Sequence, residues 1–250
     1  MTVRTDHVPL IFSYPTPREL GRHAGERAAV AIRHAIGANR RARVLLAAAP
    51  SQAETLAALV CEPGIDWGRV ELFHMDDYIG LPPGAPQSFS IWLRGMLVDQ
   101  LPPETTFHPM DPSNDPEGEV IRYERLMGDD PFDLVMLGLG VNGHLAFNDP
   151  PADLLDRRGA KVVTLDDTSR RQQVDEGHFA AIEDVPRQAI TVTIPRLLNA
   201  HELIASVPGA QKRRAVADTL ARPSGPVHPG TALRTHPRVR LFLDTEADPR

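Results

Sequence analysis

Three short stretches of this chain hold side chains able to move a proton or grip an anion. The first is His74-Met75-Asp76-Asp77-Tyr78, an adjacent carboxylate pair directly after the apolar run Val70–His74. A carboxylate at the end of a buried strand loses hydration, so its pKa rises towards values useful for proton abstraction. The second is Gly138-Leu139-Gly140-Val141-Asn142-Gly143-His144, continuing to Asp149-Pro150-Pro151. A His–Asp pair five residues apart would orient the ring and favour its charged form, as a proton shuttle requires. The third is Ala49-Pro50-Ser51-Gln52, a polar turn after another apolar run. Each has a plainer alternative: a solvated turn for the carboxylates, a loop-capping role for His144, a helix cap for Ser51.

Other chemistries fit less well. Gly138, Gly140 and Gly143 spell G-x-G-x-x-G, the spacing of a dinucleotide turn, but Pro150-Pro151 blocks the long helix that should follow. The glycines are better read as letting backbone amides approach a small anionic or polyhydroxy ligand. His74, Asp76, Asp77 and His144 could form a metal set, yet there is no H-E-x-x-H and no cysteine cluster. No G-x-S-x-G elbow supports a serine hydrolase. Neither a metal nor a redox cofactor is therefore expected.

The elements that must position these residues alternate between short apolar runs and helical patterns, which argues for a mostly parallel sheet with helices on both faces. Strands are expected at Leu10–Ser13, Val44–Ala49, Val70–His74, Phe132–Leu137, Lys161–Leu165, Ala189–Thr193, Leu203–Val207 and Val239–Leu243, all in one sheet. Thr16-Pro17-Arg18-Glu19 reads as a capping box opening a helix that continues past Ile36. Further helices are expected at Gln52–Val60, Ser88–Leu101, Asp115–Met127, Thr168–Ala181, Pro195–Ala200 and Gln211–Leu220. Met75–Gln87, rich in Gly and Pro, reads as a loop. In open α/β sheets ligands bind beyond the carboxyl ends of the strands, so all three stretches should face one crevice.

The 250 residues suit a single α/β domain, with a lid-like segment around residues 168–186. The formal net charge of -6 and the lack of a long Lys/Arg run argue against nucleic acid. Arg40-Arg41-Ala42-Arg43 reads as the exposed end of a helix. A lone cysteine, Cys61, suits a reducing compartment. The polar start, Met1–Asp6, lacks a signal-peptide core, and no segment reaches membrane-spanning length. The expectation is a cytoplasmic protein with a small-molecule partner and no membrane contact. A homo-oligomer is compatible with the sequence, which leaves the oligomeric state open.

These residues also carry a family resemblance. Phe73-His74-Met75-Asp76-Asp77-Tyr78-Ile79-Gly80-Leu81 resembles the MDEYVGL-type segment of glucosamine-6-phosphate deaminases, and Gly138–Pro150 resembles their G-x-G-x-[ND]-G-H-[IL]-[AG]-F-N-[ED]-P loop. Val207-Pro208-Gly209-Ala210-Gln211-Lys212 is similar to their small-residue-plus-lysine turn. The related 6-phosphogluconolactonases usually read G-D-G-H-T-A-S-L-F-P, so the Phe147-Asn148-Asp149-Pro150 ending favours the deaminase/isomerase branch. The resemblance implies a Rossmann-like sheet and conversion of an aldose amino-sugar phosphate to a ketose phosphate plus ammonia. It implies that Asp76 moves the proton between C2 and C1, that His144, held by Asp149 and near Asn142, assists ring opening, and that Asp77 is an electrostatic partner.

Two departures bear on the substrate. The family's P-T-G-G-T-P phosphate loop is replaced here by Ala48-Ala49-Pro50-Ser51-Gln52-Ala53, and Asp175 stands near the place of the family's lid arginine. Ser51, Gln52 and Lys212, with Gln173 from the lid and the Gly138 and Gly140 backbone, are the expected replacements; Arg170 or Arg171 are alternatives in a shifted register. A lactone hydrolase using His144 to activate water, and a non-catalytic sugar-phosphate sensor, are the competing readings.

Overall fold

The computed structural model describes residues 6–113 and 115–250; the polar start at Met1–Thr5 lies outside them. The strands in chain order are β1 Leu10–Tyr14, β2 Ala42–Leu46, β3 Val70–His74, β4 Asp76–Ile79, β5 Thr106–His108, β6 Leu134–Leu137, β7 Ala160–Thr164, β8 Gln188–Val192, β9 Leu203–Val207 and β10 Val239–Asp244. The helices are α1 Pro17–Asn39, α2 Ala53–Val60, α3 Phe89–Met96, α4 Pro116–Met127, α5 Asp167–Asp175, α6 Ile194–Leu198 and α7 Arg213–Ala221. Short 3₁₀ turns, among them Pro50–Gln52 and Ala210–Lys212, precede α2 and α7. Among the described residues no helix is long and apolar enough to cross a membrane.

Seven strands form one parallel sheet in the order β1-β10-β9-β6-β2-β3-β5. From β2 the chain steps outward through β3 to β5, and from β6 outward through β9 to β10. The neighbours β2 and β6 therefore flank the point where the winding reverses, the usual place for a ligand crevice. Alternation along each strand feeds both faces. Val44 and Leu46 join α1 and α2 in one core, while Leu45, Val135 and Leu137 join α4 and α7 in the other. Both faces are buried, which is why these strands read as unbroken apolar runs.

The expectation of a single sheet is corrected in one respect. β7 and β8 pair with β4 in a separate three-stranded antiparallel sheet, ordered β4-β8-β7. The stretch read as a loop from Met75 thus begins with a strand, in which Asp76 lies opposite Thr191. Asp-Asp has low strand propensity, and only pairing with distant β8 makes it extended. β5 escaped notice because it has only three residues, and the helix expected to run to Leu101 ends at Met96.

The start of α1 follows the capping pattern. Thr16 Oγ1 accepts from the Glu19 amide at 3.2 Å, and Pro17 takes the first turn. Arg40 ends the helix in the left-handed region, but Arg43 is no exposed helix end. It lies buried in β2, between the rings of Phe73 and Phe132, and donates to the carbonyls of Met127 and Asp130. Burial lowers its pKa, and those carbonyls with the ring faces hold the guanidinium in place.

The α1–α2 contact places the start of α2 at the crevice, and glycines set its closeness. A Cβ on Gly21 would lie 2.4 Å from Glu54 Cβ, and one on Gly25 2.7 Å from Ala58 Cβ. Exposed Gly37, further along α1, has nothing within 4 Å of such a Cβ. Two substitutions of the same kind should then act oppositely. Gly25→Ala is expected to destabilise by about 1–3 kcal/mol through overpacking, and Gly37→Ala to stabilise by about 0.5–1 kcal/mol through helix propensity. Urea denaturation midpoints check this, and equal shifts for both would refute close packing at Gly25.

Candidate active site

The carboxyl ends of β2, β3 and β6 open onto a crevice. Its lining includes Ser51, Asp76, Gly138, Gly140, His144, Gln173 and Lys212, and adds Gln172 and Glu176 from the region of α5. Phe89 and Phe147 supply an aromatic wall, stacked at 5.7 Å between ring centroids. Of the expected site residues, Asp77, Asn142, Asp149 and Gln52 do not line it; each stands behind a residue that does.

Asp76 is 6% exposed, and no donor among the described residues reaches its carboxylate. Burial, and next the charge of Asp77, hold its carboxyl well above the usual carboxylate range. Asp77 turns the other way. It accepts from the amides of Phe89 (3.0 Å), Ser90 (3.1 Å) and Tyr78 (2.9 Å) and from Ser88 Oγ (2.8 Å). It thereby satisfies the first free amides of α3 across a gap in sequence, and Ser88 makes no side-chain cap of its own. His74, a candidate metal ligand in the sequence, is committed to the backbone. Its Nδ1 donates to the Asp76 carbonyl at 3.0 Å and its Nε2 accepts from the Met110 amide at 2.7 Å. The imidazole is neutral in that arrangement, and burial lowers its pKa.

The loop after β6 forms no helix from Gly138 to Pro151, so no dinucleotide turn exists here. The role of Gly140 differs from the expected approach of backbone amides to a ligand: a Cβ there would lie 2.3 Å from the His144 ring. The glycine makes room for the imidazole. His144 Nδ1 lies 2.9 Å from Ser169 Oγ and 3.1 Å from Asp149 Oδ1, and Ser169 Oγ donates to that same carboxylate oxygen. With the hydroxyl hydrogen on Asp149, Nδ1 carries the ring proton and Nε2 is left as the basic atom. Asn142 donates to Asp149 (3.1 Å) and Asp166 (3.2 Å) and accepts from the His144 amide (3.0 Å). Burial raises the Asp149 pKa, but His144, Ser169 and Asn142 outweigh it and hold the carboxyl below its ordinary value.

On the anion side, Ser51 lines the crevice and accepts from Gln52 Nε2 at 3.0 Å. Ser51 is not a helix cap, since the start of α2 has no side-chain cap. Gln52 is buried and also donates to the Ser206 carbonyl at 3.0 Å, tying Ser51 to β9. A Cβ on Gly138 would lie 3.0 Å from that amide nitrogen, so its side of the loop too is kept clear for a neighbour. Gln173 Oε1 accepts from Tyr78 OH at 2.6 Å. Lys212 is buried and meets Glu176 Oε1 at 3.5 Å; burial lowers its pKa, and Glu176 opposes that. Arg170 and Arg171 do not reach the crevice. Arg170 is spent on the carbonyls of Ile182 and Val185, and Arg171 is exposed near Asp167.

Ser169, Gln172 and Glu176 were not singled out from the sequence. The N-cap pattern of Asp166 and Ser169 is legible, with the Ser169 amide donating to Asp166 Oδ1 at 2.7 Å. Nothing local shows that the Ser169 hydroxyl turns inward onto His144.

The fold is a parallel α/β sheet whose switch-point crevice gathers a buried carboxylate, a histidine and a lysine, the frame of a small-molecule site. The family described as glucosamine-6-phosphate isomerases/6-phosphogluconolactonase matches residues 15–241, and the chain belongs to that family. A glucosamine-6-phosphate deaminase of Streptococcus sanguinis (strain SK36) is 34% identical over 206 residues, 82% of this chain and 86% of the relative. A solved monomeric glucosamine-6-phosphate deaminase superposes with a TM-score of 0.86 at 25% identity, covering 95% of this chain and 98% of that one. A 6-phosphogluconolactonase from Shewanella baltica shares the fold, with a TM-score of 0.79 at 18% identity over 95% of this chain and 98% of that one.

The adjacent aspartates should respond oppositely to the same substitution. A carboxyl whose folded pKa lies above its unfolded value, about 3.9, stabilises fully only below that value. The contribution is lost as pH rises through the folded pKa. Asp76→Asn should therefore melt higher than the parent protein, by a margin that grows from pH 5 to pH 8. Asp77→Asn should be less stable by about 1–3 kcal/mol, because each carboxylate oxygen accepts from two donors and one becomes an NH2 group that leaves two of them unmet. Melting both variants across that range checks this; a lower melting point for Asp76→Asn at pH 8 would contradict the desolvated carboxylate.

Proposed function

We propose that the chain is a glucosamine-6-phosphate deaminase. The observation that carries this reading is Asp76: a buried carboxylate with no donor among the described residues, opening onto the crevice that also holds the basic nitrogen of His144. Acid–base isomerisation needs such a group, whereas hydrolysis of a lactone needs only an activated water. The names of the relatives support the same reading.

In this mechanism His144 carries a proton to the ring oxygen as the sugar opens to the aldehyde. Ser169 and Asp149 hold the ring in the required tautomer and stabilise it when charged. Asp76 takes the C2 proton, the C–H electrons form the C1–C2 double bond, and the carbonyl oxygen at C1 is protonated. Asp76 then returns its proton to C1, leaving C2 as an iminium. Water adds to C2 and ammonia departs, so one amino-sugar phosphate and one water become one ketose phosphate and one ammonia. Asp77 keeps Asp76 basic through its negative charge. Ser51 and Lys212 hold the phosphate, with Gln52 fixing Ser51 and Gln173 offering its amide nitrogen. Segment 168–186 covers the site as a lid.

Ammonia release should be measured from glucosamine 6-phosphate, galactosamine 6-phosphate and the unphosphorylated sugars, beside hydrolysis of 6-phosphogluconolactone. Release from a phosphorylated amino sugar is expected; lactone hydrolysis without ammonia would transfer the chain to the other branch of its family. Asp76→Asn should lower turnover at least about a hundredfold, and near-normal turnover would remove Asp76 from the proton path. In a cycle of His144→Gln and Asp149→Asn, the double loss should fall short of the sum by about 1 kcal/mol or more, because each change already breaks the shared hydrogen bond. Additive losses would show that the pair does not act as a unit.

A further inference from the structure

Glu176 is the feature of the crevice that the proposed reaction does not use. It stands where a phosphate is to bind, with 15% of its side chain exposed and its carboxylate 3.5 Å from Lys212 Nζ. Among the described residues lining the crevice, Lys212 is the only lysine or arginine. Glu176 also accepts from Gln172 Nε2 at 2.7 Å, and Gln172 Oε1 accepts from the Val141 amide at 3.0 Å. One string of polar contacts thus runs from the loop after β6, across α5, to the start of α7. A dianion added beside an intact Glu176 carboxylate would be repelled at short range, in a setting where few waters screen the charges. The lysine is a compact point charge and cannot grip two anions in the forked manner of an arginine.

We infer that Glu176 is a specificity-determining residue: it occupies Lys212 and must be displaced by the phosphate of the substrate. Ligands without a phosphate monoester leave the Glu176–Lys212 pair closed. Those with one exchange a carboxylate for a dianion at the same ammonium group. This rests on reading the crevice as a sugar-phosphate site. The phosphate does not bind an open cationic pocket; it competes with an internal anion, and its affinity is set by the difference between the two.

The test uses the full chain and inorganic phosphate as the probe, with binding followed by calorimetry. Glu176→Gln should tighten phosphate at least about tenfold, because the competing charge is gone while the side chain keeps its shape. Glu176→Ala should shift it the same way and guards against a folding defect peculiar to one variant. Adding Lys212→Met should abolish binding in either background. The KM for glucosamine 6-phosphate should fall with the phosphate Kd in the Glu176 variants. Phosphate that binds both Glu176 variants no more tightly than the parent protein, or not at all, overturns the inference. Ammonia release by the parent protein is recorded beside these titrations. Release with unchanged phosphate affinity removes the role of Glu176 alone. Tightened phosphate binding without release removes the deaminase reading and leaves the competition standing.

Discussion

The crevice depends on one polar junction beneath the loop after β6, at Asp149. Its Oδ1 receives Ser169, His144 and Asn142, and its Oδ2 accepts the Asp166 amide at 3.2 Å. Those partners come from the loop after β6 and from the first turn of α5. A buried carboxylate is costly unless each lone pair is met, so the junction holds only when loop and helix are docked. The same contacts set the tautomer of His144 and hang α5 over the site. From there the positions of Gln172, Gln173 and Glu176 follow, because each lies within two turns of Ser169 along one helix.

The second sheet works from the other side. Thr191 in β8 lies opposite Asp76 and accepts the Phe147 amide at 3.0 Å, while Asn148 donates to the Val192 carbonyl at 2.8 Å. The strand that presents the proposed base therefore shares an edge with the loop that presents the histidine. Asp76 and Asp77 divide a task that neither could perform alone. Asp77 is satisfied by the amides of α3, whereas Asp76 meets no donor among the described residues. The adjacent charge and the burial then act in the same direction on Asp76. The charge arrangement at the far end is equally sparing: one buried lysine, already met by one glutamate.

Much of this was legible in the chain itself. The apolar runs of the parallel sheet, the capping pattern at Thr16–Glu19 and the long loop motif from Gly138 to Pro150 are local signals, readable because strand burial and helix caps act over a few residues. Asp76, His144, Ser51 and Lys212 follow from their places after strands and at helix starts. Tertiary structure alone decided the rest. Asp77 became the cap of a helix twelve residues on, β4 became a strand by pairing with β8, Arg43 went inside against two aromatic rings, and Glu176 met Lys212. Each of these depends on a partner distant in sequence, and a side chain's charge or propensity does not specify which distant group will neutralise it. Composition and spacing determine what a residue is able to do; the docking of β4, α5 and α7 around one crevice determines which of those abilities is used, because burial and hydrogen-bond satisfaction are properties of the assembled fold.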